Sequence, residues 1–180
     1  AALRAVRNAR LEGIPVVTNM QVNALTRPHL REHYNTLKRL GVRVWRSQLT
    51  VPMGRAADRP HWILQPWQIL EVVNELAALQ LEEVNRVRAK GLDPNRAMNI
   101  KGSNNLGYFG PHEETLRSAP GGMSGHWVGC PAGSHVLSIE SDGTVKACPS
   151  LPTAPYAGGN AATERLDAIW QKPVIGFTRH

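Results

Sequence analysis

The two cysteines of the chain, Cys130 and Cys148, bracket a segment with the pattern of a β-hairpin. Twelve residues separate Cys130 from Gly143, and four separate Gly143 from Cys148. Apolar and polar residues alternate on both sides of Ser141-Asp142-Gly143, and Asp-Gly between alternating runs is a strong turn signal. The pattern therefore predicts a two-stranded ribbon with a thiol near the end of each strand.

Two thiols at the rim of a ribbon are compatible with several kinds of site. Thiolates bind zinc, copper(I) and iron-sulfur clusters, but clusters usually take four cysteines and this chain has two. One alternative is a disulfide across the hairpin, and another is a pair of unrelated buried cysteines. A zinc site is a third alternative, although its ligands would lack the short paired spacing of zinc knuckles. That zinc site would consist of His126, Cys130, His135 and Cys148.

Upstream of the cysteines, helical periodicity alternates with strand-like runs. Apolar residues at helical spacing predict one helix around Leu3, a second between Leu30 and Leu40, and a third from about Pro66 to Lys90. Strand-like runs, IPVVTN and VRVWRSQLTV, follow the first two helices. Alternating units of this length predict parallel strands covered by helices, and therefore an α/β fold. A glycine follows each helix, at Gly13, Gly41 and Gly91.

The cysteine segment GCPAGSHVLSIESDGTVKACPSLP resembles the opening of the SPASM domain, an iron-sulfur extension of many radical S-adenosylmethionine (radical SAM) enzymes. The runs GIPVVTNMQVNALTRPHL and LGVRVWRSQLTVPMGRA resemble the fifth and sixth strand-helix units of a radical SAM partial TIM barrel. The resemblance implies an incomplete parallel (β/α) barrel followed by a cysteine-bearing β-hairpin, a truncated SPASM domain. The barrel units would occupy residues 1–98, a bridging loop region residues 99–129, and the SPASM part residues 130–180.

The same resemblance implies a chemistry. Cys130 and Cys148 would be two ligands of an auxiliary [4Fe-4S] cluster whose other ligands this sequence does not contain. The full-length parent would cleave S-adenosylmethionine and modify a peptide or protein substrate by radical chemistry. Radical SAM enzymes hold their catalytic cluster in a CxxxCxxC loop, which is absent here. We therefore expect the chain to be a segment of a longer enzyme and to be inactive alone, and no residue is assigned a catalytic role.

Polar side chains accompany the two predicted strands. Thr18, Asn19, Gln21 and Asn23 lie near the end of the first strand, and Gln48 and Thr50 near the end of the second. Because parallel strands end at the same edge of a sheet, we expect Thr18, Asn19 and Gln48 to converge and to bind S-adenosylmethionine. The alternative is that these polar groups only satisfy backbone groups of the adjoining loops.

Residues 99–117 form a glycine-rich stretch that we expect to be a loop lining the substrate cleft. Gly102, Gly107 and Gly110 let the backbone bend tightly and approach a ligand closely. The candidate substrate-binding residues there are Asn104, Asn105 and Tyr108. An ordinary connector is the alternative, and neither His112 nor His126 has a partner that would give it a catalytic role.

Charge is unevenly distributed, because residues 1–60 hold eleven Lys or Arg against three acidic residues. Several of these basic residues fall between the apolar positions of helices, a pattern typical of a solvated face, so we expect no nucleic-acid partner. They are Arg4, Arg7, Arg31, Lys38 and Arg39. A basic nucleic-acid-binding module remains the alternative. No apolar run approaches the roughly 20 residues that span a membrane, and no signal peptide is visible. We therefore expect a cytoplasmic location and no membrane partner.

Overall fold

The computed structural model describes residues 1–122, Gly125 and residues 129–177, in two units, residues 1–127 and 128–180. The helices of the first unit are α1 (Ala2–Leu11), α2 (Leu30–Arg39), α3 (Pro66–Arg88) and α4 (Glu113–Arg117). Its strands are β1 (Val17–Val22), β2 (Val44–Leu49) and β3 (Asn99–Gly102). The second unit contains β4 (Ser138–Ile139), β5 (Thr144–Lys146), α5 (Thr153–Tyr156), β6 (Gly159–Asn160) and α6 (Leu166–Trp170).

The first unit is built on a parallel sheet in the order β1-β2-β3. Val17 aligns with Val44, and Val44 aligns with Asn99. The prediction of parallel neighbouring strands with helical connections is therefore confirmed. The sheet is open, and the described strands do not close into a barrel.

Alternation along the strands gives the sheet two different faces. On one face Val22, Trp45 and Ile100 are completely buried beneath α2 and α3. The helices contribute apolar residues at helical spacing to the same core, notably Tyr34, Leu37, Val72, Leu76 and Leu79. The opposite face carries polar and charged side chains beside two valines, and its residues are exposed or half-buried. One hydrophobic core thus holds the unit together and leaves the other face open.

Two expectations about strands need correction. The first strand runs from Val17 to Val22 and not over IPVVTN, because only from Val17 onward do its residues align with the second strand. Asn99–Gly102, expected to be part of a loop, forms β3. Its four residues are too few to show a clear alternation. Tertiary contacts create this strand, since the buried Gln80 side chain bonds both Met98 O (3.2 Å) and the Ile100 N–H (2.6 Å).

Ion pairs between α2 and α3 account for part of the charge asymmetry. Arg31 on α2 contacts Glu82 on α3 and lies 3.6 Å from Glu75. Arg27, just before α2, contacts Glu71 in the same way. Basic residues of the first sixty positions therefore face acidic residues of the third helix. Within the described part of the chain, no helix has both the length and the apolar character required to cross a membrane.

The second unit is a small antiparallel sheet in the order β4-β5-β6. The predicted hairpin is present as β4 and β5, but the predicted two-stranded ribbon is wrong, because β6 adds a third strand. This strand was missed because Gly159 and Asn160 have no strand signal of their own. Val145, Ile169 and Ile175, all completely buried, form the core of the unit.

Candidate metal centre and the open face of the parallel sheet

A tight turn determines the shape of the cysteine-bearing hairpin. The Gly143 N–H donates to Glu140 O at 2.9 Å, and the Glu140 N–H donates to Thr144 O at 2.8 Å. The Asp142 carboxylate accepts a further hydrogen bond from the Thr144 N–H at 2.9 Å. Aspartate favours such turns because its side chain bonds the backbone two residues ahead. The predicted Ser141-Asp142-Gly143 turn is confirmed.

Gly143 is required at this turn for two reasons. Its φ of 88° lies in the left-handed region, which L side chains adopt at a cost. A Cβ on Gly143 would also lie 2.6 Å from Asn160 Oδ1. Asn160 belongs to β6 and donates from its amide to Asp142 O at 2.9 Å. The glycine thus lets the third strand dock against the turn.

The two thiols lie outside the apolar core. Cys130 is exposed, Cys148 is half-buried, and both are free. Cys130 precedes a compact loop in which Pro131 O accepts the N–H groups of His135 (2.9 Å) and Val136 (3.1 Å). Cys148 follows β5 by two residues. The alternative of two unrelated buried cysteines is therefore wrong.

An ion pair between the buried Lys146 and the half-buried Glu140 holds the chain on both sides of Cys148. Lys146 is only 2% exposed, and its Nζ lies 2.5 Å from Glu140 Oε1. The same Nζ donates to Leu151 O at 2.7 Å and lies 3.3 Å from Thr153 Oγ1. Thr153 in turn donates to the Glu140 carboxylate at 3.0 Å. Lys146 thereby ties the hairpin turn to the segment that leaves Cys148.

This network changes the proton affinity of the carboxylate. The hydrogen bond from Lys146, followed by that from Thr153, holds the pKa of Glu140 below its ordinary value of 4.5. Favourable contacts to the charged form of a carboxyl group always act in this direction. Glu140 therefore stays ionised at neutral pH and keeps Lys146 neutralised within the fold.

The zinc alternative is not assembled by the residues that the structure describes. His135 Nδ1 contacts its neighbour Ser134 Oγ at 3.1 Å. In residues 1–122, Gly125 and 129–177, no three His, Cys, Asp or Glu side chains come together in a way that could hold a metal ion. Cys130, His135 and Cys148 therefore do not form a triad. His126, the fourth member of the expected set, lies outside the described residues.

The expected convergence of strand-end polar groups occurs for two of the three residues. Asn19 Nδ2 donates to Gln48 Oε1 at 3.2 Å on the open face of the parallel sheet. Thr18 alternates to the opposite face, where its Oγ1 is buried without a hydrogen-bond partner in the described structure. The expectation is wrong for Thr18 because residues 18 and 19 lie within β1 and not beyond its end. Binding of S-adenosylmethionine by this set stays a prediction.

The glycine-rich stretch makes defined contacts with the rest of the first unit. The amide of Asn105 is fully engaged, because its Oδ1 accepts the Leu49 N–H (3.1 Å) and its Nδ2 donates to Leu49 O (2.8 Å). Tyr108 is 72% exposed, and the side chain of Asn104 lies outside the described part. Gly102 makes room for the Phe109 ring, since a Cβ there would lie 2.3 Å from it. Substrate binding by these residues stays a prediction.

Three structurally prominent charged residues were not singled out from the sequence. Lys146 reads as the polar member of an alternating strand, yet it is buried. Arg46 and Lys101 are aligned across β2 and β3 on the open face. Alternation within β2 places Arg46 on the same face as Gln48, a signal available in the sequence. The alignment with Lys101 was not available, because β3 was not predicted.

The thiols suit a soft metal centre. Cys130 and Cys148 are the only cysteines of the sequence, and both are free and outside the core. A [4Fe-4S] cluster takes four ligands, usually thiolates, so these residues provide half of such a set. The chemistry of the two donors therefore fits thiolate ligands of an iron-sulfur cluster.

Comparison with protein-family models identifies a match in the second unit. Residues 130–178 match the SPASM family model, described as an iron-sulfur cluster-binding domain. The matched segment starts at Cys130 and includes the hairpin, Cys148 and the helix α6. No curated protein matches the chain.

Proposed function

Starting from the SPASM match, under which residues 130–178 bind an iron-sulfur cluster, we propose that the chain is part of a radical SAM enzyme with an auxiliary [4Fe-4S] cluster. The observation that carries this proposal is the pair of free thiols on either side of the Gly143 turn, within the matched segment. In this function Cys130 and Cys148 bind the cluster as thiolates. When bound, the cluster supplies one-electron transfer.

The residues around the hairpin organise the binding of that cluster. Gly143 permits the turn that brings β5 back alongside β4. Lys146 fixes the segment after Cys148 through Leu151 O and Thr153 Oγ1. A metal site depends on such outer contacts to orient its ligands. We therefore assign Lys146 and Glu140 as positioning residues for Cys148.

In this proposal the first unit supplies strands and helices of the radical SAM barrel. Its parallel order, with helices on one face, is what a segment of a (β/α) barrel requires. Asn19 and Gln48, hydrogen-bonded on the open face, are the proposed contacts to S-adenosylmethionine. The proposed substrate is a peptide or protein, with the exposed Tyr108 as a contact. The expected absence of a nucleic-acid partner belongs to the same proposal.

Anaerobic reconstitution with iron and sulfide tests the metal assignment. The wild-type chain is expected to retain both elements and to show the visible absorption of an iron-sulfur cluster. Cys130→Ala and Cys148→Ala should each reduce the bound iron by more than half, since each removes one of two thiolates. His135→Ala is the matched control and should bind as much iron as wild type. Retention of zinc in place of iron, with loss in His135→Ala, would support the zinc alternative.

A second assay addresses catalysis. Because the sequence has no CxxxCxxC loop, we expect the reconstituted chain with S-adenosylmethionine and dithionite to release no 5'-deoxyadenosine above a protein-free control. A full-length protein that contains this chain and such a loop should release it. Release by the isolated chain would overturn the assignment of both cysteines to the auxiliary site.

A further inference from the structure

The open face of the parallel sheet has an unusual concentration of positive charge. Arg46 on β2 is aligned with Lys101 on β3, and Asn19 on β1 is aligned with Arg46. We call these three residues the cationic row. Aligned residues on adjacent strands lie about 4.8 Å apart along the hydrogen-bonding direction and point to the same face. The row thus places two cations next to each other, with an amide beside them.

Nothing described in the structure neutralises these cations. Neither Arg46 nor Lys101 has an ion pair or a side-chain hydrogen bond among the described residues. Arg43, one residue before β2, provides a contrast, because its guanidinium donates to Asn95 O and Arg96 O. The other side chains of the open face are apolar or carry amides: Val17, Gln21, Val44, Gln48 and Asn99.

Two like charges on adjacent strands repel each other and reduce the stability of the sheet. The row therefore costs some stability, and an anion bound between the two side chains would remove that cost. Guanidinium binds carboxylate or phosphate oxygens in a bidentate manner, and an ammonium group adds a point charge. The Asn19 amide lies at the end of the row and can add a polar contact. These donors match an oxyanion and not a cation or an apolar group.

We propose that the cationic row binds the oxyanion of a small ligand, a carboxylate or a phosphate group, at the open face of the parallel sheet. The inference rests on strand register and charge in residues 1–127, and it does not depend on the cluster assigned to Cys130 and Cys148. Asn19 is shared with the proposed contacts to S-adenosylmethionine, so it is the cluster assignment, tested by iron retention, that fails or holds independently of this inference.

Titrations of the 180-residue chain with sodium phosphate and with sodium glutarate test the proposal, each compared with sodium chloride at equal ionic strength. Binding is measured by calorimetry and by shifts of backbone amide resonances. We expect one or both oxyanions to bind and to shift resonances of β1, β2 and β3. Stronger binding of phosphate would identify a phosphate ligand, and stronger binding of glutarate a carboxylate ligand. Shifts no different from those in chloride would overturn the proposal.

Variants of Arg46 and Lys101 test whether the oxyanion binds at the cationic row. Arg46→Gln and Lys101→Gln should each weaken oxyanion binding about tenfold, and Lys101→Arg should retain it. Lys90→Gln removes an exposed cation beyond α3 and serves as the charge-matched control. Equal loss in Lys90→Gln would show that net charge alone attracts the anion, which contradicts a site.

Stability without ligand gives an independent readout. At low ionic strength Lys101→Gln should unfold at a higher temperature than wild type, because it removes the repulsion from Arg46. The difference should shrink as salt screens the charges. A lower unfolding temperature at low salt would contradict the proposed juxtaposition.

Discussion

The Nζ of Lys146 lies 2.5 Å from Glu140 Oε1, and this ion pair connects the turn of the cysteine hairpin to the chain after Cys148. Lys146 is 2% exposed, whereas the Glu140 side chain is 32% exposed. Removing the carboxylate would leave the buried ammonium without its ionic partner, which destabilises the fold, although less than at a pair whose two members are both buried. The pair thus links the stability of the second unit to the position of a thiol.

We predict that Glu140→Gln lowers the unfolding temperature of the second unit and weakens its retention of iron after reconstitution. The low pKa of Glu140 adds a pH dependence, since a carboxyl group of depressed pKa stabilises the fold above its ordinary value of 4.5. That contribution is lost as pH falls through the folded pKa. The acid-induced loss of stability should therefore be smaller in Glu140→Gln than in wild type, as measured by thermal unfolding across pH.

A matched control for this variant is Arg165→Gln, which breaks the exposed ion pair between Arg165 and Asp167 in the same unit. Exposed pairs contribute little, so the control should unfold at nearly the wild-type temperature. Equal behaviour of Glu140→Gln and Arg165→Gln would mean that Lys146 does not need its partner.

Gly143→Ala should destabilise the second unit more than Gly13→Ala destabilises the first. Both glycines have positive φ, 88° and 71°, and alanine in that region costs roughly 1–2 kcal/mol. Only at Gly143 would the new Cβ meet another atom, Asn160 Oδ1 at 2.6 Å, whereas nothing lies within 4 Å at Gly13. Chemical denaturation of both variants measures the difference. Equal losses would indicate that β6 moves away from the turn without cost.

Glu83→Gln should strongly destabilise the first unit. The Glu83 carboxylate is 3% exposed and accepts hydrogen bonds from Tyr34 Oη at 2.7 Å and from Arg86 Nη2 at 2.6 Å. A neutral amide would leave the Arg86 charge unpaired and would direct N–H groups at other donors. We expect a loss of about 3 kcal/mol in the free energy of unfolding, by analogy with other broken buried pairs.

Glu82→Gln is the control for this loss, because Glu82 is the preceding residue of α3 and pairs with Arg31 at the surface. Its replacement should cost less than about 1 kcal/mol. Urea titrations of both variants give the comparison. A loss as small in Glu83→Gln as in Glu82→Gln would contradict the importance of the buried network.

His33 should make the first unit sensitive to moderately acidic pH. Burial against Trp45, at 5.1 Å between ring centroids, lowers the pKa of His33 below its ordinary value of 6.5. The unfolded chain therefore binds a proton that the folded chain resists, and stability rises with pH through the window below 6.5. His33→Phe should flatten the rise in the urea midpoint between about pH 5 and about pH 7. His29→Phe, at an exposed position, should leave it unchanged.

Local patterns predicted the elements whose residues are close in sequence. The Asp142-Gly143 turn, the helix α3 and the glycines after the helices all follow from short-range backbone chemistry. The order of helix and strand then predicted the parallel pairing of β1 with β2. The two thiol positions were recognisable because their spacing around Gly143 is itself a local feature.

Contacts between distant segments decided where the two short strands form and which side chains lie next to each other across strands. β3 and β6 have only four and two residues, too few for a periodicity, and they become strands because a neighbouring strand pairs with them. Alternation along β1 placed Thr18 and Asn19 on opposite faces, and register aligned Arg46 with Lys101. A one-residue change in register would exchange the two faces, so residue type alone could not assign them.

Contacts between distant segments also decided which charged side chains are buried. Lys146 reads as an exposed residue of an alternating strand, and it is buried because the chain after Cys148 returns to cover it and Glu140 neutralises it. The sequence by itself determined the turn, the helices and the thiol spacing, since these depend on neighbouring residues. Tertiary structure alone decided which charges are buried and which are aligned, because those depend on partners far away along the chain.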